Sequence, residues 1–324
     1  MRVKSEQMTK SHVTYQVASA LYLGQRVNQE DAIATDFALG DTVGFVVLSD
    51  GMGGHNAGEV ASKIVVTEVF TQLKFRSAPR HATDSHVRET LVHAAEIANA
   101  CVGDVADETP EAQGMGATLV VPYFNGDQLH WISIGDSPLY LHRNGRLQQL
   151  NEDHSMGPHI DMMVRSGMMT ESNGREHPDR NCLTSVLVGK DISKIDCPDR
   201  PTKLADGDIV IVASDGLQSI PHHALEQIIE RHADDSSDSI SKALLGEIKT
   251  RADPEQDNVC FAIVKFTKSL DAVNFCPTPD AMDDTIARQG AGINQNLSGI
   301  TPRRRNRLHT SLARLLPTSP STAK

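Results

Sequence analysis

The stretch LSDGMGGHNAGEVAS, residues 48–62, places one aspartate and several glycines between two regular segments of the chain. Residues 43–49, VGFVVLS, are apolar and β-branched, which predicts a buried strand that ends at Asp50. Apolar residues at helical spacing follow over 58–75. A glycine-rich loop between a strand and a helix often binds phosphate through its backbone N–H groups. The alternative is that Asp50 is the functional residue and that the glycines only allow the chain to turn beside it.

The phosphate-binding interpretation is excluded by the residues at three positions. A dinucleotide-binding loop would need a third glycine where the chain has Asn56. A P-loop would need Lys followed by Ser or Thr where the chain has Glu59 and Val60, and a glutamate there would repel phosphate. The stretch therefore favours Asp50 as the functional residue.

Other aspartates share the position of Asp50 at the end of a predicted strand. Such side chains can converge on one rim of a β structure, where unpaired carboxylates repel each other unless cations neutralise them. A set of oxygen ligands without His or Cys favours the hard ions Mg²⁺ and Mn²⁺. These further aspartates are Asp31, Asp136, Asp215 and Asp257.

Composition narrows the class of protein. The chain has 324 residues and a net charge of −11, which argues against general nucleic-acid binding. Its five cysteines are scattered and form no CxxC pair, so we expect no structural disulfide or zinc site and a reducing, cytoplasmic location. The polar N-terminus and the lack of a long apolar run predict neither a signal peptide nor a membrane span.

The pattern along the chain predicts an N-terminal lead-in, a dense globular domain and a low-complexity tail. Their predicted limits are 1–12, 13–268 and 269–324. Within the domain, a β meander is predicted over 117–150, with turns at Asn125-Gly126, Gly135-Asp136-Ser137 and Asn144-Gly145. Further helices are predicted near 84–101, 221–232 and 237–251, and a last buried strand over 259–266.

Several segments, in order over about residues 13–267, resemble the metal-dependent protein phosphatase family, also called protein phosphatase 2C, in its bacterial form. The resemblance implies an α+β fold, a four-layer α-β-β-α sandwich of two antiparallel sheets flanked by helices, with a metal centre at one end. The matching segments are RVNQEDA (26–32), LSDGMGGHNAGEVAS (48–62), GMGATLVV (114–121), SIGDSPLYLHRNGRLQQLNEDHS (133–155), GDIVIVASDGL (207–217) and DNV (257–259).

The resemblance also implies two bridged Mg²⁺ or Mn²⁺ ions and a third, weaker metal site. Arg26 matches the arginine that grips the substrate phosphate. The residues that match the metal ligands are Asp50, the Gly51 carbonyl, Asp215 and Asp257, with Glu30 and Asp31 acting mainly through water and Asp136 at the third site.

The implied function is that of a hydrolase in signalling, a serine/threonine protein phosphatase that counteracts a Ser/Thr kinase. It would hydrolyse phosphoserine and phosphothreonine in proteins by direct attack of a metal-bridging hydroxide. One alternative is a pseudophosphatase that binds phosphoproteins without turnover, although such chains usually lose metal aspartates that are present here. Another is a two-metal hydrolase such as a phosphodiesterase, whose histidine ligands have no counterpart at the predicted strand ends.

The proton donor to the leaving group stays open at this point. Some family members have a histidine directly after the first Asp-Gly, where this chain has Met52. His55 is the nearest candidate general acid, and a surface or capping role for it is the alternative.

Two segments depart from the family pattern. Pro138 follows the Gly-Asp-Ser motif where an arginine is common, and SVLVGKD (185–191) follows the flap of residues 156–180. The flap holds five of the ten methionines. It either forms a helix that buries Met163 or presents an adaptable apolar lip to protein substrates.

The tail contains a basic amphipathic segment, TPRRRNRLHTSLARLLP (301–317). It is suited to an anionic membrane surface or an acidic partner. A solvated tail, or docking onto the acidic domain of the same chain, are the alternatives.

Overall fold

The computed structural model describes residues 11–38, 41–53, 57–76 and 83–270, without the side chains of residues 11, 269 and 270. The predictions for His55 and for the segment 301–317 lie outside the described residues. The chain divides into two units, Met1–Val273 and Asn274–Lys324, and the second contains none of the described residues. The domain limits given above stay a prediction.

The described residues form strands, α-helices and two short 3-10 helices at Pro110–Ala112 and Asp215–Ser219. The strands are β1 (Ser11–Tyr22), β2 (Asp31–Phe37), β3 (Val43–Met52), β4 (Gly116–Ala117), β5 (Leu119–Asn125), β6 (Gln128–Ile134), β7 (Leu139–Arg143), β8 (Arg146–Gln149), β9 (Thr202–Lys203), β10 (Ile209–Ala213) and β11 (Val259–Leu270). The helices are α1 (Ala57–Arg76), α2 (Asp84–Glu108), α3 (Gly157–Arg165), α4 (Glu171–Arg175), α5 (His222–Arg231) and α6 (Ser237–Arg251).

The strands form two antiparallel sheets. One has the order β1-β11-β10-β7-β8 and the other the order β2-β3-β5-β6-β9, with β4 paired to β3. Helices α1 and α2 pack on the second sheet, and α5 and α6 pack on the first. A third apolar cluster fills the space between the sheets. The four-layer α-β-β-α sandwich is therefore confirmed.

The central strands are apolar without alternation because both of their faces are buried. In β3, Phe45 and Val47 pack toward the α1–α2 layer. Val46 and Leu48, the residues between and after them, pack toward the opposite sheet. This explains why VGFVVLS is a continuous apolar run.

Helix α2 begins as predicted and ends later. The Thr83 hydroxyl accepts a 3.3 Å hydrogen bond from the backbone N–H of His86 and caps the first turn. The helix continues to Glu108, seven residues past the predicted end, through Gly103. A side-chain carbon at Gly103 would meet the backbone of Gly189 at 2.7 Å, so this glycine allows close packing rather than ending the helix.

No helix in the described ranges is both long and apolar enough to cross a membrane.

The prediction of a single meander over 117–150 is wrong. Strands β5 and β6 form a hairpin in one sheet, and β7 and β8 form a hairpin in the other. The residues Gly135-Asp136-Ser137 therefore carry the chain between the sheets. Gly135 has a φ of +107°, which favours glycine and allows this change of direction.

The two Asn-Gly turns behave differently. At Asn144-Gly145, φ values of 52° and 74° give the predicted tight turn with two positive angles. In the β5–β6 hairpin, Asn125 still pairs with Gln128, so the turn residues lie one position later than predicted. Gly126 alone has a positive φ there, 62°, at the first turn position.

Candidate metal centre

The five predicted aspartates come together at one end of the sandwich, from both sheets. Asp31 begins β2 and pairs in register with Asp50 in β3. Asp215 follows β10, and Asp257 precedes β11 in the other sheet. Asp136 lies in the segment that crosses between the sheets. The electrostatic neighbours of Asp50 are the other four aspartates.

Asp31 is the most buried of these residues, with 5% of its surface exposed. Burial, then the charges of Asp215 and Asp257, raise the pKa of Asp31 to about 7. The Ser214 hydroxyl donates a 2.7 Å hydrogen bond to Asp31 Oδ2 and opposes that rise. The same hydroxyl accepts a hydrogen bond from the Cys260 N–H at 2.9 Å. Ser214 thus fixes Asp31 against the other sheet.

Asp50 and Asp215 experience the same crowding of negative charge. Burial raises the pKa of Asp50 well above its usual value, and Asp31, Asp215, Asp136 and Asp257 raise it further. Burial, followed by the charge of Asp257, also raises the pKa of Asp215. The group can be fully ionised only if positive charge is supplied to it.

Arg26 and Glu30 lie on the β1–β2 loop beside this group. Arg26 Nη2 donates a 2.6 Å hydrogen bond to Asp257 Oδ2, and its side chain is 55% exposed. The Glu30 backbone N–H donates to Asn258 Oδ1 at 2.8 Å, and the Glu30 carbonyl accepts from the Gly51 N–H at 3.1 Å. Burial raises the pKa of Glu30. The loop brings one cation and one further carboxylate to the aspartates.

Both Asp-Gly motifs require glycine for steric reasons. A side-chain carbon at Gly51 would overlap the carbonyl oxygen of Gly58, at the start of α1. A side-chain carbon at Gly216 would overlap the carbonyl oxygen of Asn258. Each glycine therefore lets an aspartate-bearing segment lie directly against the next backbone segment.

His154, which sequence reasoning quoted in a motif without assigning it a role, holds the Asp136 loop. The ring nitrogen Nδ1 of His154 accepts a 3.3 Å hydrogen bond from the Gly135 N–H. The backbone N–H of His154 donates a 3.0 Å hydrogen bond to the Gly135 carbonyl. Burial, then the charges of Asp215 and Asp153, raise the pKa of Asp136 to about 7.

Ser214, like His154, has no role assigned from the sequence alone, although it too lies in one of the quoted motifs. The Asp-His-Ser and Ser-Asp-Gly motifs contained the signal for both residues.

A cavity of about 380 Å³ opens beside the aspartates. Two buried oxygen atoms, Gln256 Oε1 and Ser219 Oγ, have no hydrogen-bond partner among the described residues. The cavity wall is polar, and six of its fourteen residues are acidic. It consists of Asp136, Asp153, Ser155, Gly157, Arg180, Asn181, Asp215, Gly216, Gln218, Ser219, Asp253, Glu255, Gln256 and Asp257.

The flap contributes one side of this wall. Helix α3 forms within it, and the buried side chain of that helix is Ile160, whereas Met163 is only half-buried. Met162 and Met168 are 49% and 68% exposed. The methionines of the flap therefore do not form the buried helix face that was one of the two alternatives.

The donor set fits hard divalent cations. Carboxylates and backbone carbonyls predominate, and the two unpartnered oxygens could accept hydrogen bonds from the water that such ions retain. No group of three or more acidic, histidine or cysteine side chains within the described ranges is arranged to hold a metal ion. Of the five aspartates, Asp136, Asp215 and Asp257 line the cavity, and their side chains are not set in a coordination geometry.

The chain is similar to known proteins of one family. The family model for Protein phosphatase 2C matches residues 23–248. Protein phosphatase PhpP of Streptococcus pneumoniae serotype 2 (strain D39) is 33% identical over 181 residues, which are 54% of this chain and 68% of that protein.

Solved structures share the fold. The S. agalactiae serine/threonine phosphatase superimposes with a TM-score of 0.67 at 25% identity and covers 78% of this chain and 99% of that chain. The catalytic domain of the serine/threonine protein phosphatase PstP, in complex with 2 manganese ions, has a TM-score of 0.62 at 24% identity. That likeness covers 79% of this chain and 100% of that one.

Proposed function

The chain belongs to the protein phosphatase 2C family and is a protein serine/threonine phosphatase, and we propose that it uses two Mg²⁺ or Mn²⁺ ions to release phosphate from phosphoserine and phosphothreonine. The observation that carries the proposal is the convergence of five aspartates from both sheets, with raised pKa values for four of them. The manganese ions of the structurally similar PstP domain support the choice of metal.

We assign the ligands from the match of each residue to the motifs of the family, and the convergence of the aspartates at one end of the sandwich supports this assignment. Asp50, the Gly51 carbonyl, Asp215 and Asp257 would hold the two ions, with Glu30 and Asp31 hydrogen-bonded to their water. Asp136, which faces Asp215 and Asp153, would bind a third and weaker ion. When bound, the ions supply a water acidic enough to attack phosphorus at neutral pH, and they offset phosphoryl charge.

The side chains of the protein hold the substrate phosphate, and they bear on whether the reaction passes through a covalent enzyme intermediate. Arg26, next to Asp257, has further N–H groups that can donate to phosphate oxygens. No cysteine is among the residues that line the cavity, which supports direct hydrolysis without a covalent enzyme intermediate. His55 as the proton donor to the leaving alkoxide stays a prediction. Proteins phosphorylated by a Ser/Thr kinase are the proposed substrates.

Hydrolysis of p-nitrophenyl phosphate and of a phosphothreonine peptide tests the proposal. We expect turnover with Mn²⁺ and loss of turnover with EDTA. In Asp215→Asn the turnover rate should fall by at least roughly 100-fold. Residues that only support a metal ligand typically cost about 10- to 100-fold, so a loss of this size indicates a direct ligand. Asp104→Asn, an exposed aspartate on α2, is the matched control and should retain activity.

Two results would count against it. Activity that survives both EDTA and Asp215→Asn would contradict the two-metal mechanism. Phosphopeptide binding without turnover in the wild-type protein would support the pseudophosphatase alternative.

A further inference from the structure

Among the described residues, most of the exposed large hydrophobic side chains lie on two segments of the chain that also carry residues of the candidate site. Six large hydrophobic side chains are strongly exposed in the described part of the chain. Five of them lie on the β1–β2 segment that contains Arg26 or on the flap segment that contributes to the cavity wall. The five are Leu21, Leu23 and Val27 on the first segment and Met162 and Met168 on the second, and Phe75 at the end of α1 is the sixth.

The first of these segments is firmly held against the cavity wall. The Gln25 N–H donates to the Gln256 carbonyl at 2.8 Å, and Asn258 Nδ2 donates to the Leu23 carbonyl at 2.8 Å. Gln256 and its neighbour Asp257 line the cavity. The exposed side chains of Leu23 and Val27 therefore belong to an anchored loop, and that of Leu21 belongs to the end of β1.

The degree of exposure is high for residues of this type. Val27 is 93% exposed, Leu21 52% and Leu23 42%. Single exposed hydrophobic residues are ordinary, but a group of them next to a functional site marks an interaction surface. Here the group includes the residue that directly follows the proposed phosphate-binding arginine.

We propose that Leu21, Leu23 and Val27 form an apolar rim that binds an aliphatic or aromatic side chain close to the phosphorylated residue of a protein substrate. The inference rests on the proposed function. One residue of extended peptide spans about 3.3 Å, so side chains within a few positions of a phosphate held by Arg26 reach the rim. The cavity wall carries Asp153, Asp253 and Glu255, which repel acidic neighbours of the phosphorylated residue.

Two phosphothreonine peptides test this rim. They are identical except for leucine or serine at the positions that flank the phosphothreonine, and kcat/KM is measured for both with Mn²⁺. We expect the wild-type protein to prefer the leucine peptide about fivefold, a little below the discrimination that one methylene group gives in a closed pocket. In Val27→Ser and Leu23→Ser the preference should fall toward one, mainly through KM.

The matched control is Phe75→Ser, which removes an exposed hydrophobic side chain from the end of α1 and should keep the fivefold preference. Because each preference is a ratio between two peptides on one variant, a partly unfolded preparation does not change it. Equal kcat/KM for both peptides in the wild-type protein, or an unchanged preference in Val27→Ser, would overturn the rim. Absence of turnover of either peptide by the wild-type protein would instead overturn the proposed function.

Discussion

The Ser214 hydroxyl lies 2.7 Å from Asp31 Oδ2, although the two residues are 183 positions apart and belong to opposite sheets. Ser214 follows β10, Asp31 begins β2, and the same hydroxyl accepts from the Cys260 N–H in β11. One side chain therefore joins three strands at the candidate metal centre. It also determines which way the Asp31 carboxylate is turned.

Replacing this hydroxyl should weaken both the fold and the site. In Ser214→Ala, Asp31 and the Cys260 N–H lose a buried partner, which we expect to cost about 1–3 kcal/mol of unfolding free energy. Mn²⁺ affinity, measured by calorimetric titration, should fall about 10-fold, as for other residues that orient a ligand.

Ser237→Ala is the matched control for Ser214→Ala. Ser237 is also fully buried, and its hydroxyl donates to the Gln16 carbonyl at 2.7 Å. A comparable loss of stability with unchanged Mn²⁺ affinity is expected for Ser237→Ala. If the two variants bound Mn²⁺ equally well, the positioning role of Ser214 would be wrong.

Arg26→Ala should separate activity from stability. The Arg26–Asp257 pair is exposed, so its loss should change the unfolding free energy by less than about 1 kcal/mol. Without the guanidinium, kcat/KM for p-nitrophenyl phosphate should fall on the order of 100-fold. Arg26→Lys should recover only part of the loss, because an ammonium group cannot form the bidentate contact.

Arg88→Ala provides the comparison for Arg26→Ala. Arg88 is likewise exposed and paired with an aspartate, Asp199, that is not a proposed ligand. Its removal should leave the kinetics unchanged. A decrease in kcat/KM of the same size in both variants would show that the effect of Arg26 is not specific.

Gly51→Ala tests the close approach of β3 to the start of α1. The added methyl group would overlap the Gly58 carbonyl, so we expect destabilisation of about 1–3 kcal/mol and weaker Mn²⁺ binding. Gly246→Ala in α6 is the control, since no atom outside the adjacent backbone of its own helix lies within 4 Å of the added carbon. It should stabilise the protein by about 0.5–1 kcal/mol, because alanine favours a helix interior. Equal thermal midpoints for the two variants would contradict the steric argument.

The raised pKa values predict an unusual pH dependence for the metal-free protein. Asp31 and Asp136 titrate near 7 when folded, above their usual value of 3.8. Their contribution to stability is complete below the unfolded pKa and is lost as pH rises through the folded pKa. In EDTA, the melting temperature should therefore decrease between about pH 4 and pH 7 on their account. Saturating Mn²⁺ should remove this decrease, because the cation replaces the proton.

Asp31→Asn isolates the effect from other titrating groups. Burial lowers the pKa of His154, so its contribution to stability changes with pH in the opposite direction. The comparison is therefore between wild-type and Asp31→Asn in EDTA, and the variant should lose less stability as pH rises. Identical pH profiles for the two proteins would contradict the prediction.

The elements with a clear period could be predicted from the sequence. Val87, Leu91, Ala94 and Ala98 recur at helical spacing in the sequence and form part of the buried face of α2, and the apolar run before Asp50 indicates β3. The convergence of the aspartates was inferable because each lies at the end of such a run. Their exact partners were not.

What the sequence could not supply were relationships between distant segments. The two hairpins around Gly135 have the same local pattern whether they share a sheet or not, so the crossover was predicted as part of one meander. The partners of Ser214 and His154 depend on how the sheets are stacked, which no local spacing encodes. The Gly103–Gly189 contact likewise needs two segments 86 positions apart to meet, so α2 was predicted too short.

The aspartates of the candidate metal centre are divided between the two sheets, with Asp31 and Asp50 on one and Asp215 and Asp257 on the other. Their mutual repulsion acts to separate the sheets at this end, whereas the apolar cluster between the sheets holds them together farther along. A divalent cation bound among these carboxylates, as proposed, would turn that repulsion into attraction. The proposed catalytic ions would then also hold the two sheets together at this end, so that activity and the closing of this end would be gained and lost together.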